Sequence, residues 1–318
     1  MMTSDNTPQE DYVYQFAAAS AFGSSREAVC FAAQVSGLYR STDGGVTWHS
    51  AFTALALQET PPALAVAIPP DAAEARDVFV GVNGGILRSW DGGQNWESAW
   101  LPSPPPAVLA LTISPNFAQD GVLFAGTLED GVLCSSDRGR RWVAWNFGLL
   151  DLNILCLAIS PAFATDDTLY AGTQSGLFRS TNGGRAWREV DLPCGFEAVL
   201  SLAFSPNFAQ DATLFAGTEN HGLWRSQDGG HTWARVGESV FTEPVNAISL
   251  DPHYPSRPHC LVLQGGVLYA SQDGGETWHL WREAELAGKE ITAVYAPMGF
   301  TPGMPILVGC ADGTVQRI

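Results

Sequence analysis

Carboxylate side chains recur along the chain within the pattern Ser-x-Asp-x-Gly-x-x-Trp, with Asn in place of Asp in the fourth copy. The six equivalent positions are Asp43, Asp91, Asp137, Asn182, Asp228 and Asp273. Carboxylates can act as general acids or bases, as nucleophiles in glycoside hydrolysis, or as metal ligands. Here each one lies beside Ser and Gly, which satisfy N–H groups in tight turns and adopt positive φ. We therefore predict structural turn residues and no catalytic residue.

A tryptophan closes each copy of the pattern. The six are Trp48, Trp96, Trp142, Trp187, Trp233 and Trp278. Because a tryptophan ring contributes a large apolar area when it is buried, we expect these side chains to pack in the core. The acid and the tryptophan would then belong to one repeated structural unit.

Further aromatic residues follow these tryptophans, near the predicted ends of the strands that carry them. They are Phe52, Trp100, Trp145, Phe147 and Trp281. A rigid aromatic side chain beside charged residues is a frequent anchor in protein interfaces, so these are candidate binding residues. The alternative, that they fill gaps between repeats in the core, stays open at this stage.

Glu219 and His221 form a second candidate binding pair, in the segment Glu-Asn-His-Gly. One histidine and one carboxylate are too few ligands for a metal site, and the six cysteines show no CxxC or zinc-ligand spacing. We therefore predict no metal and no cofactor. The cysteines are expected to be free thiols, with Cys194 in a predicted turn as the one that reacts.

The spacing of the boxes indicates the secondary structure that positions them. The acid positions are separated by 48, 46, 45, 46 and 45 residues, and the fifth repeat divides into the apolar runs VLSLAFSP, TLFAGT, GLWRSQD and TWARV. Four short strands in a period of this size are typical of a propeller blade. Small residues in the second run, such as Gly217, would let neighbouring sheets approach closely. Three more runs, ITAVYAP, ILVGCAD and GTVQRI, follow the sixth repeat.

The sequence therefore predicts an all-β fold, a seven-bladed β-propeller of four-stranded antiparallel blades whose seventh blade is incomplete. A single domain is predicted over residues 1–318, with residues 1–11 as a polar N-terminal segment. The blades are predicted at about residues 12–52, 63–100, 107–147, 154–190, 199–236, 245–281 and 291–318. The incomplete blade would leave a partly open sheet edge, which a partner strand could extend.

Charge and composition narrow the function classes. The formal net charge is −17 with 16 basic residues, so there is no positive field to attract nucleic acid. No basic and apolar leader and no long apolar run occurs, so we expect no membrane insertion and a cytoplasmic location. The acidity is either a device for solubility or the complement of a basic partner surface.

The segment GLYRSTDGGVTW and its five counterparts resemble the Asp-box, also called the BNR repeat, of bacterial and eukaryotic propellers. The chain is most similar to the photosystem II assembly and stability factor type, and more distantly to sortilin-type and sialidase or xyloglucanase propellers. The resemblance implies that each box joins the third and fourth strands of a blade. It also implies that function resides on the face opposite the boxes.

The resemblance further implies a non-enzymatic scaffold for protein–protein interaction, such as an assembly or accessory factor for a larger complex. The expected partner is another protein with a basic surface, and the oligomeric state stays open. The alternative is a carbohydrate-binding or glycoside-hydrolase propeller. Against it, the first predicted strand, VYQFAAAS, lacks the arginine that sialidases carry there, and xyloglucanases use two propellers facing each other.

Overall fold

The computed structural model describes residues 10–20, 22–23, 27–70 and 75–318, which form seven antiparallel sheets. Six sheets have four strands that lie side by side in chain order, and the seventh has three. This arrangement confirms the predicted seven-bladed β-propeller with an incomplete last blade. Most of the predicted polar N-terminal segment, residues 1–9, lies outside the described residues.

The first four blades follow one pattern, with long inner strands and a short fourth strand. Their strands are β1 (Val13–Ala18), β2 (Cys30–Gln34), β3 (Gly37–Ser41), β4 (His49–Ser50), β5 (Ala63–Ala67), β6 (Val78–Val82), β7 (Gly85–Ser89), β8 (Glu97–Ser98), β9 (Val108–Ile113), β10 (Leu123–Thr127), β11 (Val132–Ser135), β12 (Val143–Ala144), β13 (Ile154–Ile159), β14 (Leu169–Thr173), β15 (Leu177–Ser180) and β16 (Arg188–Val190). Each fourth strand is short because it pairs at the solvent-exposed outer edge of its sheet.

The remaining three blades continue the pattern until the last, which ends at its third strand. Their strands are β17 (Val199–Phe204), β18 (Leu214–Thr218), β19 (Leu223–Ser226), β20 (Ala234–Val236), β21 (Val245–Leu250), β22 (Cys260–Gln264), β23 (Val267–Ser271), β24 (His279–Leu280), β25 (Ile291–Tyr295), β26 (Leu307–Cys310) and β27 (Val315–Arg317). One-turn helices lie in the connections: α1 (Phe117–Asp120), α2 (Phe163–Asp166), α3 (Phe208–Asp211) and α4 (Glu283–Leu286), with a 3₁₀ turn at Thr53–Leu55.

The hydrophobic core lies between the blades. The second strand of every blade is buried along its whole length, because it has a neighbouring strand on each side and a neighbouring blade on each face. Within the described residues, seven buried clusters fill the spaces between successive blades. One of them joins Val13 and Phe16 of the first blade to Ala293 and Leu307 of the seventh, which closes the ring by packing.

Glycines in the second strands set the distance between blades. A Cβ atom placed on Gly217 would lie 2.5 Å from Val245 Cγ1 of the next inner strand. The same holds where the ring closes, since a Cβ atom on Gly309 would lie 2.5 Å from Val13 Cβ. Any larger residue would push the sheets apart, so these positions require glycine for close approach. The close approach expected at Gly217 is present.

Each box is a turn held by its own side chains. In the first box, Ser41 Oγ accepts the Gly45 N–H at 2.8 Å. Asp43 Oδ1 accepts the N–H groups of Val46 and Thr47 at 3.0 and 2.9 Å. These bonds satisfy donors that the tight turn would otherwise leave unpaired. The Thr47 hydroxyl also donates to Asp43, and these bonds hold the pKa of this carboxyl below its usual range.

The box tryptophans pack between consecutive blades. Trp142 is fully buried. Trp96 Nε1 donates to the Ala51 carbonyl of the preceding blade at 2.8 Å, and Trp187 Nε1 donates to the Trp145 carbonyl at 2.8 Å. A buried indole N–H needs such an acceptor. These two tryptophans thus link their blades to the preceding ones, while the other four donate to a glycine carbonyl of their own box.

The fourth box is weaker than the others, and restoring its acid should stabilise the protein. Asn182 Oδ1 accepts the Ala186 N–H at 2.9 Å. Asp228 Oδ1, in the fifth box, accepts the N–H groups of His231 and Thr232 at 3.0 and 2.9 Å, and the Thr232 bonds help lower its pKa to about 2. We expect Asn182→Asp to raise the free energy of unfolding by about 0.5–1.5 kcal/mol, because hydrogen bonds to a charged acceptor are stronger.

Calorimetry of the Asn182→Asp variant checks this expectation. The matched control, Asp228→Asn, should lower the melting temperature by a similar amount. Equal melting temperatures for the two variants would contradict the role given to the box acid.

Candidate functional site

The loops of the propeller separate into two faces. Loops that join the first to the second strand, and the third to the fourth, lie together, as shown by the bond from Arg138 Nη2 to the Ala118 carbonyl. We call this the box face. Connections between blades lie with the loops that join the second to the third strand, since Gly131 N–H donates to the Leu152 carbonyl at 2.9 Å. We call this the opposite face.

The predicted aromatic residues do not form one rim. Phe52 is 4% exposed and packs edge-on against Trp96 with ring centroids 5.5 Å apart, so it fills the space between blades, which was the alternative left open by the sequence. Its connection folds inward between the first two blades. Trp145 and Trp281 are half-buried and pack against the inter-blade cores. Only Trp100 and Phe147 are exposed among these five, at 63% and 80%.

A set of exposed apolar side chains lies in the second-to-third loop of the third blade and in the two connections that follow it. We call it the apolar arc, and its members are Leu128, Phe147, Leu150, Leu152 and Phe196. Phe147, Leu150 and Phe196 are 80%, 78% and 84% exposed. The connection that carries Phe147, Leu150 and Leu152 runs from the outer strand β12 to the inner strand β13, so it crosses the face from the rim towards the centre.

The loops that carry or flank the apolar arc are acidic. They are residues 128–131, 145–153, 191–198 and 219–222, and they contain six carboxylates and no Lys or Arg. Glu129, Asp130, Asp191 and Glu219 are exposed among them. Apolar side chains surrounded by negative charge favour a ligand that is apolar at its centre and basic at its ends.

The second predicted pair is arranged differently from the sequence prediction. His221 Nδ1 lies 2.9 Å from Glu197 Oε2, and Glu197 is 7% exposed. Glu197 also accepts the Asn220 N–H at 2.6 Å. Glu219, by contrast, points to solvent. The structure therefore brings His221 together with Glu197, a residue that the sequence analysis did not single out.

Glu197 belongs to a repeated arrangement that holds the opposite face rigid. Asp151 Oδ2 accepts the N–H and the hydroxyl of Ser175, at 2.9 and 2.8 Å. Asp11 accepts the same two groups of Ser36, at 2.8 and 2.7 Å. In each case a carboxylate just before an inner strand binds the second-to-third loop of its own blade. These carboxylates are occupied by structural hydrogen bonds.

The chain contains potential metal ligands and cysteine thiols. Among the residues that the structure describes, no group of three or more His, Cys, Asp or Glu side chains is placed to hold a metal ion. The six cysteines are free, and burial raises the pKa of the half-buried Cys194, which disfavours its reactive thiolate. Within the same residues, no helix is long and apolar enough to span a membrane.

Comparisons with known proteins support the Asp-box repeat and the propeller fold. A family model described as photosynthesis system II assembly factor YCF48 matches residues 140–293, and a BNR/Asp-box repeat model matches residues 39–50. These matches confirm the resemblance to Asp-box propellers and to the photosystem II assembly factor type. No curated protein matches the chain significantly.

Solved structures share the fold at low identity. YCF48 bound to D1 peptide gives a TM-score of 0.72 at 17% identity, over 98% of this chain and 94% of that chain. The GH74 xyloglucanase of Xanthomonas campestris gives 0.72 at 18%, over 96% of this chain and 51% of the enzyme. The extracellular domain of a two component system of B. thetaiotaomicron gives 0.72 at 16%, over 97% and 38%. This chain therefore spans about half of the xyloglucanase and 38% of the two component system domain.

Proposed function

We propose that this chain is a non-enzymatic scaffold that binds another polypeptide on its opposite face, as an assembly or accessory factor for a larger complex. The observation that carries this proposal is the apolar arc. Several large apolar side chains exposed in neighbouring loops are characteristic of interaction sites. Aromatic residues such as Phe147 and Phe196 are the usual anchors of such interfaces.

The arc is presented by a rigid framework, which favours tight binding. The Trp187 N–H donates to the Phe147 carbonyl at 2.8 Å, and Asp151 fixes the other end of the same connection through Ser175. Glu197 fixes the connection that carries Phe196. Binding to preordered loops loses less conformational entropy than binding to loops that must first be ordered.

Comparison with a relative of the same size supports a polypeptide as the partner class. YCF48 has been solved with a D1 peptide, and it shares the fold over nearly the full length of both chains. The acidic loops around the apolar arc support a partner with basic residues. They would speed association and make it sensitive to salt.

The carbohydrate alternative has weaker support from the side chains. Glycoside hydrolysis requires two carboxylates free to act across the scissile bond. Asp151 and Glu197, which lie closest to the inner strands in their loops, are engaged by Ser175 and Asn220. The box acids are engaged in their own turns on the other face. The GH74 likeness extends over only about half of that enzyme.

Affinity capture with a matched variant tests the proposal. The tagged protein and its Phe147→Ser/Phe196→Ser variant would be incubated with native lysate at low and at moderate salt. We expect a stoichiometric protein that is retained by the original chain, weakened by salt and lost with the variant. In parallel, xyloglucan and sialoside hydrolysis are measured. Turnover of either glycan, or equal capture by both chains, would overturn the proposal.

A further inference from the structure

The inner strands carry a repeated irregularity at the channel mouth on the opposite face. In all seven blades the pairing of the inner strand shifts around its second residue, which is the geometry of a β-bulge. A bulge redirects the side chain of the extra residue. The residues at this position all line the central channel: Tyr14, Leu64, Leu109, Leu155, Leu200, Asn246 and Thr292.

This ring has two unlike halves. Blades two to five contribute four leucines, which are half-buried and line the channel. The remaining blades contribute Tyr14, Asn246 and Thr292. Within the described part of the chain, the side chains of Tyr14 and Asn246 have no hydrogen-bond partner in the protein, so their donors and acceptors are available to a ligand.

The channel below the ring has no charge. Its volume is about 370 Å³, and none of the described residues that line it is Asp, Glu, Lys, Arg or His. A charged chain end or side chain would lose its hydration there without gaining an ion partner, which is costly. An apolar or aromatic side chain would gain by burial against the leucines.

The leucine half of the ring lies on the same side as the apolar arc. Leu152 of the arc precedes Leu155 of the ring by three residues, and Phe196 precedes Leu200 by four. In both connections a short path of three or four residues therefore leads from the arc to the ring. The acidic loops described above surround this path.

We propose that the channel mouth is a socket for one uncharged apolar or aromatic side chain of a polypeptide that lies across the apolar arc and carries basic residues on either side. The leucines hold the side chain, and Tyr14 and Asn246 bind the peptide backbone beside it. The inference rests on the proposed function, since it names the chemistry of the partner that the opposite face binds.

A random peptide library displayed on phage provides the probe. It would be selected on the intact protein, and one enriched peptide would be synthesised for binding titrations. We expect enriched sequences with an internal Phe, Leu, Ile or Met flanked by Lys or Arg. The Leu155→Gln variant should bind this peptide about 10- to 100-fold more weakly, as expected for loss of a buried anchor contact. The control, Val46→Gln on the box face, should bind normally.

The possible outcomes distinguish failure of the socket proposal from failure of the proposed function. Thermal melting of Leu155→Gln should stay close to that of the original chain, because Leu155 is only half-buried and lies outside the inter-blade cores. If binding depends on Phe147 and Phe196 but is indifferent to Leu155→Gln, the socket is wrong while the proposed function stands. If none of the substitutions at Phe147, Phe196 and Leu155 changes binding, or if the selected peptides are acidic, the socket proposal and the proposed function are both wrong.

Discussion

Replacing Phe147 and Phe196 together by serine is expected to weaken binding of the partner polypeptide by about 30-fold or more without lowering thermal stability. Aromatic anchors in an interface often contribute 2 kcal/mol or more, which corresponds to about this factor. Both side chains are at least 80% exposed, so their removal takes no contact from the core. Titration calorimetry with the captured partner measures the affinity.

The matched control for this variant is Val46→Ser, which removes a 63% exposed apolar side chain from the box face. It should leave affinity within about twofold, since a residue outside the interface makes no bound contact. Equal loss of affinity in both variants would show that the effect is general rather than specific to the opposite face.

Replacing Trp142 by alanine is expected to lower the free energy of unfolding by about 3–5 kcal/mol, the usual effect of truncating a large buried aromatic. Trp142 is fully buried in the cluster between the second and third blades, with Phe79, Ile86 and Leu133. Its Nε1 donates to the Gly139 carbonyl at 3.1 Å. Urea denaturation followed by tryptophan fluorescence measures the change in midpoint.

Two further tryptophan variants keep this prediction testable if the alanine variant fails to fold. Trp142→Phe retains a ring and should lose less stability than the alanine variant. Trp100→Ala removes a tryptophan that is 63% exposed and should change stability by no more than about 0.5 kcal/mol. Equal midpoints for Trp100→Ala and Trp142→Phe would contradict the structural role of the box tryptophans.

The fold could be predicted from the sequence because each blade repeats the same structural features. The box turn, the buried second strand and the glycine that lets neighbouring sheets approach recur every 45 to 48 residues. Their positions could therefore be aligned before any contact was known. The three-stranded last blade followed from the same alignment, because GTVQRI is the last apolar run.

The connections were less predictable because they do not repeat. Phe52 and Phe147 both follow a box tryptophan by four or five residues, yet one is buried against Trp96 and the other is exposed. The difference lies in how each connection turns towards the next blade. The segment NFGLLDL offered a signal, since it is unusually apolar for a connection, and it contains most of the apolar arc.

The pairing of Glu197 with His221 was also missed, because the two residues are separated by 24 residues and two strands of the blade. A signal was present in the repeat itself. Asp11, Asp151 and Glu197 each precede an inner strand by two or three residues. Comparing these positions across blades would have indicated a carboxylate that binds the second-to-third loop.

Photo-crosslinking tests the central claim most directly, because it reports which face the partner touches. Benzoylphenylalanine would be placed at position 147 in the apolar arc or at position 46 on the box face, and each protein would be irradiated in native lysate. The proposal predicts one discrete crosslinked polypeptide from position 147 and none from position 46. A discrete product from position 46 alone would show that binding occurs on the box face and would contradict the account.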